Sequence, residues 1–242
     1  MSEQPERFFF VHLQKTAGTT LSRQMKRHFE RAAIYPDASD GDIVTCVISV
    51  DHLLARWKAR GREIQVVTGH FPLCTSDLLG GGFTTLTVLR EPVERTLSYL
   101  RHHQKTTPAD RDLPLEAIYD DPFRFHGLVH NHMVKMFSLT PAEMTNGALT
   151  RVEFTPARLE RAKANLAGVN AVGLQEHFDE FCAELVRRFG WRFGEPERVN
   201  STPPVPVSDE FRTRIADDNA MDVELYEFAR RLVAERDGLR PR

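Results

Sequence analysis

Phe8-Phe9-Phe10-Val11 runs into His12-Leu13-Gln14-Lys15-Thr16-Ala17-Gly18-Thr19-Thr20, and then into a stripe of Leu21, Met25, His28, Phe29 and Ala32. The first four residues form a compact apolar run, the pattern of a buried strand. The stripe recurs at i, i+4, i+7, i+8 and i+11, the signature of an amphipathic helix. Strand, polar loop with a glycine, then helix is half of a βαβ crossover, and this opening sets the fold class as α/β with a mostly parallel sheet. Unpaired N–H groups at a helix start, with the helix dipole behind them, make an anion site. In this loop Gly18 permits close backbone approach, Thr16, Thr19 and Thr20 offer hydroxyls, and Lys15 brings a mobile positive charge. An ordinary βα loop with a threonine cap has the same composition. It is not a Walker A loop, because the only glycine, Gly18, follows the lysine.

Further along, Gln65-Val66-Val67-Thr68 and Thr84 to Leu89 read as strands, and Asn170 to Leu174 as one more. Ile43 to Val50 reads either as a strand or as the lead-in to a helical stretch at 51–60. A proline at the first helical position, Pro92, starts a helix through about 103. Residues 106–125 are proline- and aspartate-rich and suggest a loop with a short helical turn. Helical patterns follow at about 127–137 and 156–167. Phe178, Phe181, Cys182, Leu185, Val186 and Phe189 make a stripe that Gly190 stops. After the extended VNSTPPVPV, a last helix carries Leu225, Phe228, Ala229, Leu232 and Val233. No repeat or long linker interrupts the chain, so residues 1–242 are expected to form a single domain.

A second constellation is Leu86-Thr87-Val88-Leu89-Arg90-Glu91-Pro92-Val93-Glu94-Arg95-Thr96-Leu97-Ser98-Tyr99. Arg90 stands at the carboxyl end of a strand, where ligands bind in open α/β sheets. Ser98 lies two turns into the following helix. An arginine fork plus a hydroxyl suits a second phosphate, separate from one at Lys15. A surface Arg90–Glu94 pair is the plainer reading of the motif alone.

Together the two stretches resemble the sulfotransferases that use 3′-phosphoadenosine 5′-phosphosulfate (PAPS), in the branch that includes heparan sulfate 2-O-sulfotransferase and many bacterial members. The resemblance implies a P-loop-like three-layer fold, its central sheet flanked by helices. It implies that Lys15, Thr16, Ala17, Gly18, Thr19 and Thr20 bind the 5′-phosphosulfate, and that Arg90 and Ser98 bind the 3′-phosphate. Further echoes are Thr68-Gly69-His70-Phe71, Gly173-Leu174-Gln175-Glu176 and Asp222 to Ala229. Gln14 stands where a proline often precedes the lysine, and Glu91 replaces the commoner aspartate. The heparan enzyme has His-Gly-His at the third site; here it reads Thr68-Gly69-His70, so only the second histidine remains. His70 is the expected general base, and Lys15 is expected to stabilise the leaving phosphate; the scheme requires no metal. Two other readings share these motifs: an ATP-dependent phosphotransferase on a P-loop-like fold, and a non-catalytic sensor of PAP, the desulfated donor.

Composition narrows the partners. The chain has 242 residues, 41% hydrophobic and 27% charged, which is globular rather than disordered. Lys+Arg is 32 against 34 Asp+Glu, a net charge of −2. That balance argues against a protein coated for nucleic acid or another polyanion, and with two phosphate motifs it places positive charge at the donor. A small-molecule or lipid acceptor is therefore expected ahead of a heparan chain, within a set that includes carbohydrate. Cys46, Cys74 and Cys182 form no zinc or disulfide spacing. With no signal-peptide core and no uncharged run near the roughly 20 residues of a membrane helix, a cytoplasmic protein without an integral membrane segment is expected. His126, His130 and His132 cluster without a glutamate or cysteine partner, as pocket lining or packing rather than a metal site. His102 and His103 extend the Ser98 helix toward either the acceptor or solvent. Asn131 is a weaker candidate for substrate contact, Arg198 one for the 3′-phosphate, and His12 reads as a strand-end residue.

Overall fold

The computed structural model describes residues 6–194 and 206–238; Arg198 lies outside them. Strand β1 (Phe8–Val11) is followed by helix α1 (Gly18–His28) and a two-residue strand β2 (Ile34–Tyr35). Helices α2 (Ile43–Ile48) and α3 (Val50–Arg60) lead to β3 (Val66–Gly69), then β4 (Thr84–Leu89) and α4 (Pro92–Thr106). Short turns carry the chain to α5 (His132–Ser138), α6 (Pro156–Ala167), β5 (Ala171–Leu174) and α7 (Phe178–Phe189). Helices α8 (Asp209–Asp218) and α9 (Ala220–Gly238) follow.

The strands form one sheet in the order β2-β3-β1-β4-β5, and every pairing is parallel. Because successive side chains point to opposite faces, Phe8 and Phe10 join one core with Leu21, Met25, Val88 and Phe181. Phe9 and Val11 join the other, with Tyr35, Val67, Met133 and Leu225. Helices therefore cover both faces, giving the parallel α/β sheet that the opening run implies and the three layers that the resemblance implies. The central strand β1 lies between β3 and β4, and the chain leaves these neighbours in opposite lateral directions. That reversal is the switch point at which such sheets bind ligands. The loops after β1, β3 and β4 carry Lys15, His70 and Arg90.

Caps explain where elements begin. Glu91 receives Val93 N at 3.0 Å and Glu94 N at 2.7 Å, so the carboxylate starts α4 directly after Arg90. Residues 43–48 are helical rather than extended, and after the extended Ser49 a second helix begins at Val50. Asp42 caps Thr45 N at 2.9 Å, Ser49 caps His52 N at 3.2 Å, and Ile43 and Val44 lie exposed with no sheet face to cover. The expected helix near 127–137 is divided. A wide π-helical turn, Phe125–Val129, is separated from α5 by Asn131 in the left-handed region at φ 44°. Helix α8, capped by Ser208, and strand β2 have too little periodicity to be read from sequence.

A buried ionic cluster fixes this divided segment. Arg95, fully buried on α4, donates to the Leu128 and Val129 carbonyls at 3.3 and 3.0 Å. Lys135 donates to the His126 and Gly127 carbonyls at 3.3 and 2.6 Å. Asp222 on α9 accepts from Met133 N and Val134 N at 3.0 and 2.8 Å, capping α5 from a distance. Burial raises the Asp222 carboxyl to about 6, against the opposing pull of Arg95. Asn131 belongs to this cluster, bonded to Asn219 and to Asp222 N, so it is a core residue rather than a substrate contact. His132 is buried beside it.

Replacing Asp222 by alanine leaves Arg95 and Lys135 buried without a counter-charge and removes the α5 cap. The expected loss is about 3–5 kcal/mol in urea unfolding, with a smaller loss for Asp222→Asn. Equal stability of Asp222→Ala and the parent protein would show that the cluster is solvated rather than dry.

Candidate functional site

One cavity of about 510 Å³ opens at the carboxyl ends of β1, β3 and β4. Lys15, Ala17, Gly18, Thr19 and Thr20 line it from the first loop, His70 from the second, and Arg90 and Ser98 from the third. Residues far apart in the chain thus meet in one place, because three adjacent parallel strands end there. Thr16 is the exception. It is fully buried, and its hydroxyl donates to the Leu13 carbonyl at 2.9 Å, so it closes the loop rather than facing the cavity.

The first loop is held in a sparsely populated conformation. Lys15 and Ala17 both have φ of 67°, in the left-handed region that non-glycine residues rarely enter. Such strain persists only where surrounding contacts enforce it, and here the enforcing contacts are visible. Arg90 Nη1 donates to the Lys15 carbonyl at 3.2 Å, and the Thr16 hydroxyl ties the loop from inside. At the helix start, the His12 ring packs against Gly18 so closely that a Cβ there would lie 2.0 Å from the imidazole. At the start of α1 the Thr20 and Leu21 N–H groups return to the Ala17 carbonyl at 3.0 and 3.2 Å, and a helix start of this kind suits an anion.

His70 is placed by its own ring nitrogen. Its Nδ1 lies 2.7 Å from the His12 carbonyl oxygen, and its backbone N–H donates to the Val47 carbonyl at 2.7 Å. A carbonyl can only accept, so Nδ1 carries the proton and Nε2 keeps its lone pair in the neutral ring. Burial pushes the His70 pKa below its ordinary value, and the bond to the His12 carbonyl only partly opposes this. His12 is lowered further, by burial and then by the adjacent His70, whose ring centroid is 4.6 Å away. Both imidazoles are therefore neutral near pH 7.

The cations are tuned in the same direction. Burial, then the Arg90 guanidinium, lowers the Lys15 pKa. Burial likewise lowers that of Arg90, whose Nε has no hydrogen-bond partner. The Arg90–Glu94 contact is long at 3.9 Å, and Glu94 instead holds Arg212 at 2.6 Å. A half-buried arginine with spare donors beside a lysine is a site built for an anion. Among the described residues, no group of three or more His, Cys, Asp or Glu side chains could hold a metal ion.

The cavity also takes in four residues that belong to the quoted motifs but have no ligand role there: His12, Gln14, Tyr99 and Gln175. Gln175 follows β5 as Lys15 follows β1, so the strand-end rule extended to every strand would have found it. Tyr99 follows Ser98 directly; burial raises its phenol to about 12 and its hydroxyl has no partner. His102 and His103 also line the cavity. His126 and His130 do not, and His132 lies in the core.

No protein-family model matches the chain. It is 29% identical to human heparan-sulfate 6-O-sulfotransferase 1 over 188 residues, 64% of this chain and 44% of that protein. It is 24% identical to human heparan-sulfate 6-O-sulfotransferase 2 over 274 aligned positions, 94% of this chain and again 44% of the relative. The chain thus spans less than half the length of these relatives. A crystal structure of a sulfotransferase from Alicyclobacillus acidocaldarius shares the fold, with a TM-score of 0.51 at 16% identity over 92% of this chain and 94% of that one. These likenesses bear out the resemblance to PAPS-dependent sulfotransferases, with 6-O enzymes among the relatives where the motifs suggested the 2-O branch.

Adding a methyl group at Gly18 drives it into the His12 ring. Gly18→Ala is expected to cost about 1–3 kcal/mol in chemical denaturation. Adding His12→Ala to that variant should recover part of the loss, whereas strictly additive losses would mean the two residues are not in contact.

Proposed function

We propose that this chain, a relative of the sulfotransferases, is an enzyme that transfers a sulfuryl group from PAPS to a hydroxyl of a carbohydrate-like acceptor, with residues 1–242 acting as one sulfotransferase domain. The observation that carries the reading is the convergence of Lys15, Arg90 and His70 on one cavity, with His70 Nε2 left free as a proton acceptor. The donor set fits PAPS. The strained loop with Lys15 offers charge and N–H groups for the 5′-phosphosulfate, while Arg90 and Ser98 supply a second anion site one strand away.

When bound, PAPS supplies the sulfuryl group and a phosphate leaving group. Sulfuryl transfer resembles phosphoryl transfer, with two oxygens in line and a loose transition state, so positioning and charge stabilisation dominate. His70 Nε2 takes the proton of the acceptor hydroxyl as the new oxygen–sulfur bond forms. Lys15 stabilises the bridging oxygen as the old bond to phosphate breaks, and a phosphate dianion beside it favours its charged form. The scheme uses no metal.

The acceptor class shifts with the comparisons. Near-neutral net charge favours a small or lipid-like acceptor, but the named relatives act on heparan sulfate, which supports a carbohydrate. Three free cysteines suit a reducing setting such as the cytoplasm.

His70→Ala is expected to lower kcat by about 10²–10⁴ while leaving PAP affinity unchanged. A matching collapse of PAP affinity would make His70 structural. Lys15→Ala and Arg90→Ala should each weaken PAP binding by about tenfold or more in calorimetry, since each removes a charged partner of a phosphate; undiminished affinity would sink these assignments. The base must be neutral, and burial lowers its pKa, so kcat/KM should rise with pH and level off with a midpoint below about 6.5. A midpoint above that value would point to another base.

A further inference from the structure

His12 lines the donor cavity, yet the transfer scheme uses only its backbone, whose carbonyl holds His70. Its imidazole has no part so far. Three contacts locate that ring. It stacks on Phe10 with centroids 5.3 Å apart and planes at 13°. It lies 4.6 Å from the His70 ring. It also touches Gly18, where an added Cβ would come within 2.0 Å of Cδ2 and 2.2 Å of Nε2. Of the two ring nitrogens, Nε2 is therefore the one beside the anion loop.

An in-line displacement puts sulfur between the acceptor oxygen and the bridging oxygen. In the scheme above, the acceptor oxygen lies at His70 Nε2 and the 5′-phosphate lies on the Lys15–Thr20 loop. The sulfuryl group then occupies the space between His70 and Gly18, and the His12 ring borders both. Packing alone does not account for the residue type. Phenylalanines fill positions 8, 9 and 10, and a fourth at position 12 would stack on Phe10 as well as an imidazole does. A polar ring taken largely out of water is stabilised only where its nitrogens find partners. His12 is half-buried, and its lining position leaves the ring open to a ligand. Burial, and then His70, holds its pKa well below the ordinary value, so the ring is neutral and carries one N–H to donate.

We infer that His12 is a further catalytic residue, whose Nε2–H donates a hydrogen bond to a non-bridging oxygen of the sulfuryl group and holds the sulfur in line. The inference rests on the sulfotransferase reading. As the new oxygen–sulfur bond forms, the acceptor hydroxyl gives its proton to His70 Nε2. The sulfur–oxygen bond to phosphate breaks, and its electron pair stays on the bridging oxygen of PAP. His12 keeps its proton throughout. Because PAP has no sulfuryl group, His12 distinguishes the donor from its product.

Calorimetry with PAPS and with PAP, on the full chain and its variants, tests this without an acceptor. His12→Phe keeps a ring and removes the N–H, while His12→Gln returns an amide N–H near the position of Nε2. His12→Phe should bind PAP within about twofold of the parent protein and PAPS about tenfold more weakly, and His12→Gln should restore most of the PAPS affinity. With labelled PAPS and water as acceptor, His12→Phe should slow sulfate release by about 10²-fold. Should the larger ring not fold beside Gly18, His12→Ala makes room and gives the same comparison with His12→Gln. A purely structural His12 would lower both affinities together, and an idle ring would change neither; either result overturns the inference. So does a His12→Gln variant that holds PAPS no better than His12→Phe. A parent protein that binds neither PAPS nor PAP would instead sink the transfer reading itself, whereas one that binds both, with a ratio indifferent to position 12, removes only the role of His12.

Discussion

The hydrogen bond from His70 Nδ1 to the His12 carbonyl, 2.7 Å long, joins the two halves of the site. It fixes the tautomer of His70, and its acceptor belongs to the residue whose ring seats Gly18 at the start of α1. One residue therefore sets both the orientation of the base and the shape of the anion loop. Parallel pairing makes this possible: β1 and β3 are neighbours, with Val11 in register with Gly69, so the residues after each strand meet side by side. Arg90 completes the junction from β4, holding the Lys15 carbonyl in its left-handed turn. The resulting geometry is built before any ligand arrives, which is where electrostatic preorganisation has its effect.

Much of this was legible in sequence because it is local or periodic. The Phe8–Val11 run, the helix stripes and the Pro92 start each follow from a short window, and the central α/β architecture follows from them. Lys15, Arg90 and Ser98 could be picked out because strand ends and helix starts have a fixed chemistry. What escaped depends on contacts distant in the chain. Thr16 looks like a hydroxyl ligand until its bond to Leu13 is seen. Asn131 looks like a polar contact until α9 arrives to engage it. Ile43 to Val50 reads either as a strand or as a helical lead-in, and the caps Asp42 and Ser49 decide for the helix.

The buried ionic cluster plays a different part. Arg95 sits in the same motif as Arg90 and Ser98, one turn before Ser98 on α4, and none of its guanidinium faces solvent. It secures the Phe125–Val129 turn to α4 through carbonyl groups that a wide turn leaves open. The helix that presents Ser98 to the cavity thus also braces the Phe125–Val129 turn. Such a cluster stabilises little by net charge pairing, but it specifies one arrangement of α4, α5 and α9.

A crystal structure of the full chain with PAP tests the central claim most directly. The account predicts the 5′-phosphate on the Lys15–Thr20 loop, the 3′-phosphate on Arg90 and Ser98, and His70 Nε2 facing open cavity beside the 5′-phosphate. PAP bound with its phosphates exchanged or elsewhere on the molecule, or with His70 turned away from the cavity, would contradict it.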